Sequence, residues 1–428
     1  MSILNNNHDN LVKKIDDILS LIKNEPEKFE HVFTELFHKD FGKALNYINN
    51  LDSGFLKGLV VSVKDLFDVK GYKTKGGSKF LDSQIKIKDA DCIALIRKSG
   101  GLLLGHTNMT ELAYSGLGIN PHYGTPENPV YKGSIPGGST SGGAVSIALD
   151  IADITIGTDT GGSTRIPAAF TGITGFKPTQ DSISRVGCLT LSSSLDSVGL
   201  MAKNVELCRL GYEVMKDKKK QSQKSIVKDL NFIIPSNFGF ENIEPDVELA
   251  FNSAKEKIID QGYNIIEEHL PILETYKKIP LWQFAAVECQ AEYFEGYAEN
   301  KNLIDPSILK RMDRANDVTA VEYKLLLKIR ENMIKEFNSF LNNNFLLIPT
   351  VTIKPPLLKK CDNQDFYDKI NIISLKNTSL ANYMNGCSLS LPYFKNKEPI
   401  GIMLNGSTGM DDKLLEIGSI FEKIFQNK

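Results

Sequence analysis

The sequence holds one tryptophan, six histidines and six cysteines in 428 residues, and neither sign of charge is in surplus. The cysteines (Cys92, Cys188, Cys208, Cys289, Cys361, Cys387) are widely spaced without a C-x-x-C pair, so neither a zinc site nor a disulfide framework is expected. They read as buried free thiols. No apolar run approaches the roughly 18 residues that span a bilayer, and the opening MSILNNNHDNLVKKIDDIL lacks the apolar centre and cleavage site of a leader. A cytoplasmic protein with no membrane partner is expected. With 50 basic against 52 acidic side chains, the formal charge of −2 argues against direct nucleic-acid binding, which needs a clustered basic surplus. Also missing are G-x-S-x-G, H-E-x-x-H, G-x-x-x-x-G-K-[ST] and G-x-G-x-x-G, so no metal or nucleotide cofactor is implied.

What is present is an ordinary globular composition, 41% hydrophobic, able to bury a large core. Residues 10–50 carry apolar side chains at helical spacing (Leu11, Ile15, Ile18, Leu19, Ile22, then Val32, Phe33, Leu36, Phe37), which predicts a helical N-terminal cover over residues 1–50. From about 58 to 205, short apolar runs (59–63, 102–105, 154–157) alternate with glycine turns and helical stretches, the pattern of an α/β sheet layered by helices. Residues 206–340 read as mostly helical, with one strand at 231–235 and a solvated lysine-rich turn at 216–224. Strands are expected again near 344–350, 387–392 and 400–404, and a closing helix over 411–425.

Three stretches combine glycine and serine, the first with lysine, in ways that packing does not require. In 58-GLVVSVKDLFDVKGYKTKGGS-78, Lys64 and Asp65 end an apolar run on opposite faces of the pleat, so one of them must point inward. In 134-SIPGGSTSGGAVSIALDI-151, a glycine and serine turn runs into a helix, with Thr140 and Ser141 placed to cap it. In 154-ITIGTDTGGSTRIPAAF-170, the N–H groups of Thr160, Gly161, Gly162 and Ser163 can converge on one point, as in an oxyanion hole.

Five ordered blocks, VSVKD (61–65), GHTNMTELAYSGLG (105–118), PGGSTSGG (136–143), GTDTGGSTRIPAAFTGITGFKPT (157–179) and SLDSVG (194–199), resemble the amidase signature family of Ser-Ser-Lys hydrolases. The GGSTSG pattern and the stretch 111-ELAYSGLGINPHYGTPENP-129 look closest to bacterial amidases near the allophanate and carboxybiuret hydrolases. The resemblance implies one large α/β domain over residues 51–428, with a central twisted mixed sheet flanked by helices on both faces and its signature core at about 58–205.

It also implies catalytic Lys64, Ser139 and Ser163. The family places its middle serine 24 residues before the nucleophile, the separation of Ser139 from Ser163, which selects Ser139 over Ser141. Serine is a poor nucleophile without a base, and Lys64 can serve only if neutral, its pKa lowered from about 10.4 to near 7 at about 1.4 kcal/mol per pH unit. Burial away from carboxylates would do this, so Asp65 and Asp159 are expected to turn elsewhere, for instance to Arg165. Met109, Thr110, Tyr114 and Tyr123 are candidates to line the pocket. Arg165 and Asp196 read as structural, and the family needs no catalytic role for His106 or His122.

The implied activity is hydrolysis of a small carboxamide or urea-like amide, releasing ammonia or an amine, without cofactor. The candidate assembly is a homodimer. One alternative is the A subunit of a glutamyl-tRNA(Gln) amidotransferase, a glutaminase that works with partner subunits and is usually longer. A second is a non-catalytic amidase-like binding module.

Overall fold

The structure, a computed structural model, describes residues 8–81, 83–217, 230–395 and 398–426. Eleven strands make one mixed sheet: β1 (Phe33–Leu36), β2 (Val60–Lys64), β3 (Leu102–Thr107), β4 (Ile154–Asp159), β5 (Thr174–Lys177), β6 (Ser197–Ala202), β7 (Asn231–Pro235), β8 (Asn264–Glu268), β9 (Phe345–Pro349), β10 (Cys387–Lys395) and β11 (Glu398–Gly406). Their order across the sheet is β1-β3-β2-β4-β6-β5-β10-β11-β9-β7-β8. β2 runs parallel to both β3 and β4, and β7 runs parallel to β8 and β9. The remaining neighbours are antiparallel.

Side-chain alternation shows why the sheet is covered on both faces. In β9, Phe345 and Leu347 enter one hydrophobic core, while Leu346 and Ile348 enter another. The first core is closed by the helices Val205–Met215, Pro245–Asp260 and Asp411–Gln426. The second is closed by Pro271–Tyr276, Trp282–Glu292 and Ala320–Leu341. The last of these starts at a capping box in which Thr319 and Glu322 satisfy each other's backbone N–H groups.

Two sequence expectations change. Phe33–Leu36 forms a strand where the spacing predicts a helix: it pairs antiparallel with β3, with a register shift between Phe33 and Glu35, so the N-terminal segment extends the sheet as well as supplying the helices His8–Asn24 and Phe41–Asn49. β8 is an unforeseen strand, largely exposed at the opposite edge of the sheet, where burial imposes little hydrophobic pattern. Most of the lysine-rich turn at 216–224 lies outside the described residues. No helix among the described residues is long and apolar enough to cross a membrane.

Candidate active site

The parallel strands β2 and β4 end side by side, and the carboxyl ends of parallel strands are where α/β sheets place their sites. β2 delivers Lys64; β4 delivers Thr158 and Asp159 and then breaks into the turn Thr160–Thr164. The helix Ser141–Ala148 follows the turn that carries Ser139, and the Gly138–Ser139 peptide is cis. Gly142 is demanded by close approach, because a Cβ there would lie 2.2 Å from the carbonyl oxygen of Val32.

Lys64 is completely buried, and its Nζ donates to Ser139 Oγ at 2.7 Å and to Thr158 Oγ1 at 3.0 Å. The sequence does not single out Thr158; a threonine at a strand end has no local mark of such a contact. Burial lowers the Lys64 pKa to about 7, against the smaller opposing pull of Cys188, Asp196 and Asp159. The amine is therefore bonded to hydroxyls and half deprotonated near neutrality.

The nearby carboxylates are held by other partners. Burial raises the Asp159 carboxyl, but Arg165 more than reverses this and holds it well below the usual range. The guanidinium meets it with two bonds, Nη2 to Oδ1 at 2.7 Å and Nε to Oδ2 at 3.1 Å. Asn382, from a helix more than 200 residues away in sequence, bonds both partners. Asp65 is also fully buried, so both faces at the end of β2 are covered, where one inward side chain was expected. Its Oδ2 accepts from Thr34 Oγ1 at 2.7 Å and its Oδ1 from the Lys75 N–H at 3.0 Å, while burial raises its pKa to about 7. His106 is held neutral, its pKa lowered by burial to about 4, with Nε2 3.1 Å from the Phe67 carbonyl.

Ser163 follows Gly162, whose φ of +139° lies in the region that favours glycine. A Cβ at Gly162 would stand 2.2 Å from Thr378 Oγ1. Among the described residues, no acceptor engages the N–H groups of Thr160, Gly161, Gly162 or Ser163, nor does Ser163 Oγ make a hydrogen bond. The turn is fixed from its edges: Thr160 Oγ1 donates to Asp196 Oδ1 at 2.6 Å, and Thr378 Oγ1 donates to the Gly161 carbonyl at 2.5 Å. Four free donors beside a free hydroxyl can receive an oxyanion.

Of the four pocket candidates, Thr110 touches this constellation: its N–H donates to the Ser139 carbonyl at 3.0 Å, and its own buried hydroxyl has no partner. Met109 is fully buried, the Tyr114 carbonyl accepts from Arg311 at 2.6 Å, and the Tyr123 hydroxyl donates to the Ser78 carbonyl at 3.4 Å. None of these three is hydrogen-bonded to Lys64, Ser139 or Ser163. Thr140 occupies the expected N-cap position, but its side chain makes no capping bond and its hydroxyl is unpartnered, while Ser141 Oγ donates to the Asn108 carbonyl at 3.4 Å. Among the described residues, no group of three or more His, Cys, Asp or Glu side chains could hold a metal ion.

The protein-family model described as Amidase matches residues 19–415. The chain belongs to the amidase signature family. It is 30% identical over 379 residues to 2-amino-5-chloromuconic acid deaminase of Comamonas testosteroni, spanning 86% of this chain and 81% of that protein. It is also 30% identical over 443 residues to the A subunit of a glutamyl-tRNA(Gln) amidotransferase of Methanococcus maripaludis, spanning 96% of this chain and 99% of its relative. A crystal structure of an amidase superposes with a TM-score of 0.87 at 26% identity, covering 97% and 96% of the two chains. The match to the archaeal relative removes length as a way of separating this chain from amidotransferase subunits.

Proposed function

We propose that this member of the amidase family hydrolyses a small carboxamide or urea-like amide through an acyl-enzyme on Ser163. The single observation that carries the reading is the buried 2.7 Å bond between Lys64 Nζ and Ser139 Oγ, on an amine lowered to about 7 by burial. Neutral Lys64 takes the Ser139 proton as Ser139 takes the Ser163 proton, and Ser163 Oγ bonds to the amide carbon. The N–H groups of Thr160 to Ser163 receive the oxyanion. The relay then returns its proton to the departing nitrogen, which leaves as ammonia or an amine. Water, deprotonated by the same relay, attacks the acyl carbon and frees Ser163.

The test is ammonia release from the isolated protein against glutamine, indoleacetamide, malonamate, allophanate and short aliphatic and aromatic amides, with Ser163→Ala alongside. Turnover by the unaltered chain, abolished in the variant, with a fluorophosphonate adduct mapped to Ser163, is expected. Equal turnover by Ser163→Ala would sink the acyl-enzyme.

The near-complete overlap with an amidotransferase component favours one second reading, a glutaminase that feeds ammonia to partner subunits. Co-purification with further chains, and glutaminase activity rising in their presence, would select it over the stand-alone hydrolase. A non-catalytic binding role would require Ser163 to resist the fluorophosphonate and Ser163→Ala to keep full cellular function.

A further inference from the structure

Glu288 lies on the helix Trp282–Glu292, well beyond the signature core, and four donors converge on its carboxylate. Oε2 accepts from the Ser192 hydroxyl and from the Ser194 N–H at 3.1 Å. Oε1 accepts from Ser194 Oγ at 2.5 Å and from Tyr323 OH, on the long helix Ala320–Leu341, at 2.6 Å. Five residues further on, Tyr293 OH donates to the Thr190 carbonyl at 2.8 Å.

The turn held in this way is folded around Asp196. Asp196 Oδ2 accepts the Leu191 and Ser192 N–H groups at 2.9 and 3.1 Å, and its Oδ1 accepts the Thr160 hydroxyl at 2.6 Å. Thr160 opens the turn whose free N–H groups precede Ser163. A continuous path of hydrogen bonds therefore runs from two helices outside the signature core, through Glu288, Ser192 and Asp196, to the edge of the oxyanion turn.

We propose that Glu288 is a positioning residue for the oxyanion turn, acting through Ser192, Ser194 and Asp196, so that the segment 282–323 sets the geometry of the Thr160–Ser163 donors. The proposal rests on the reading of Ser163 as nucleophile. Four hydrogen bonds converging on one carboxylate from two separate segments leave the turn little freedom. Neither Glu288 nor Tyr323 need touch the substrate. Packing alone would not require a polar group to gather two serines of one turn and a tyrosine from a distant helix.

The test is the rate at which a fluorophosphonate labels Ser163, because its phosphoryl oxygen must enter the same donors, measured with melting temperature for Glu288→Ala, Glu288→Gln and Ser194→Ala. Glutamine keeps one acceptor for the Ser194 N–H and lets the hydroxyls rotate, so about a threefold loss is expected, against at least tenfold for Glu288→Ala. Ser194→Ala removes a hydroxyl donor without emptying the site and should fall between them, with kcat lowered and KM within twofold for any substrate found. Combining Glu288→Ala with Asp196→Asn should cost less than the product of the two single losses, because both act on one path. Folded Glu288→Ala that labels at the unaltered rate overturns the proposal. Should Glu288→Ala fail to fold, labelling of Ser194→Ala at the unaltered rate does so equally. Absence of labelling in the unaltered protein instead overturns the assignment of Ser163, so the two failures are distinguishable.

Discussion

Asp159 gives both carboxylate oxygens to Arg165, 2.7 Å from Nη2 and 3.1 Å from Nε, while the hydrogen bonds of Lys64 go to hydroxyl groups. The arginine thus does for the lysine what distance alone could not. It occupies the carboxylate at the end of the neighbouring strand, so that burial, and not ion pairing, decides the protonation of the amine.

Arg165→Met breaks this arrangement on the cationic side and leaves a buried carboxylate unpaired, a change that costs about 3–5 kcal/mol. The released negative charge also favours protonated Lys64. The ascending limb of the pH–rate profile should move above its position near pH 7, and thermal melting should fall in the same variant. An unmoved limb would mean that Asp159 does not influence the amine.

Lys64→Met should abolish ammonia release and still stabilise the fold near neutral pH. The folded state sheds the lysine proton at about 7, whereas the unfolded chain holds it to about 10.4. The unfolded state therefore binds more protons in that interval, and stability of the unaltered protein climbs as pH rises from 7 toward 10. The methionine variant should lack this climb and gain about 1–3 kcal/mol at pH 7, since two hydroxyl partners are lost while a desolvation cost of roughly 1.4 kcal/mol for each pH unit of lowering is removed. Urea melts at pH 7 and pH 9.5 measure both effects.

Asp65→Asn separates two groups that titrate in the same range. Burial raises Asp65 to about 7, so the folded state keeps a proton that the unfolded chain loses near 4, and stability falls as pH rises from about 4 to 7. The asparagine should flatten that decline. Its pH–rate limb should stay in place, because in the proposed relay the base is the amine; a limb that vanishes with Asp65 would transfer the titration to the carboxylate.

Gly162→Ala meets two obstacles, a φ of +139° and a Cβ placed 2.2 Å from Thr378 Oγ1. Relief requires the turn to rotate, which withdraws N–H donors from the site beside Ser163. Loss of one such donor costs about 100- to 1,000-fold in kcat, and a fall of at least 100-fold in ammonia release is expected. Wild-type turnover would show that the turn does not supply the oxyanion donors.

Much of this site can be read from the sequence because its special backbone is written in local residues. Gly162 before Ser163, and the paired glycines around Ser139, mark turns that other residues would not tolerate. β2, β4, β9 and β11 are equally visible, since strands buried on both faces leave short stretches rich in apolar residues. What escapes depends on partners distant in the chain. Glu288 meets Ser192 and Ser194 across nearly 100 residues, Asn382 meets Asp159 across 223, and neither has a neighbour in sequence that announces the contact. β1 passes for a helix because all four of its residues are only partly buried, so the alternation that separates a strand from a helix is weak.

β1 also imposes an order of events on the making of the protein. It pairs Phe33 with Thr107 and Leu36 with Gly105, so the strand leaves the ribosome about 70 residues ahead of its neighbour in the sheet, a wait of roughly 4–14 s at 5–20 residues per second. Asp65, which receives the Thr34 hydroxyl, follows it by 31 residues, and when β3 arrives its outer margin is sealed by a segment already synthesised. A chain shorn of its first 40 residues would be born with that margin open, offering β3 to the strands of other nascent copies.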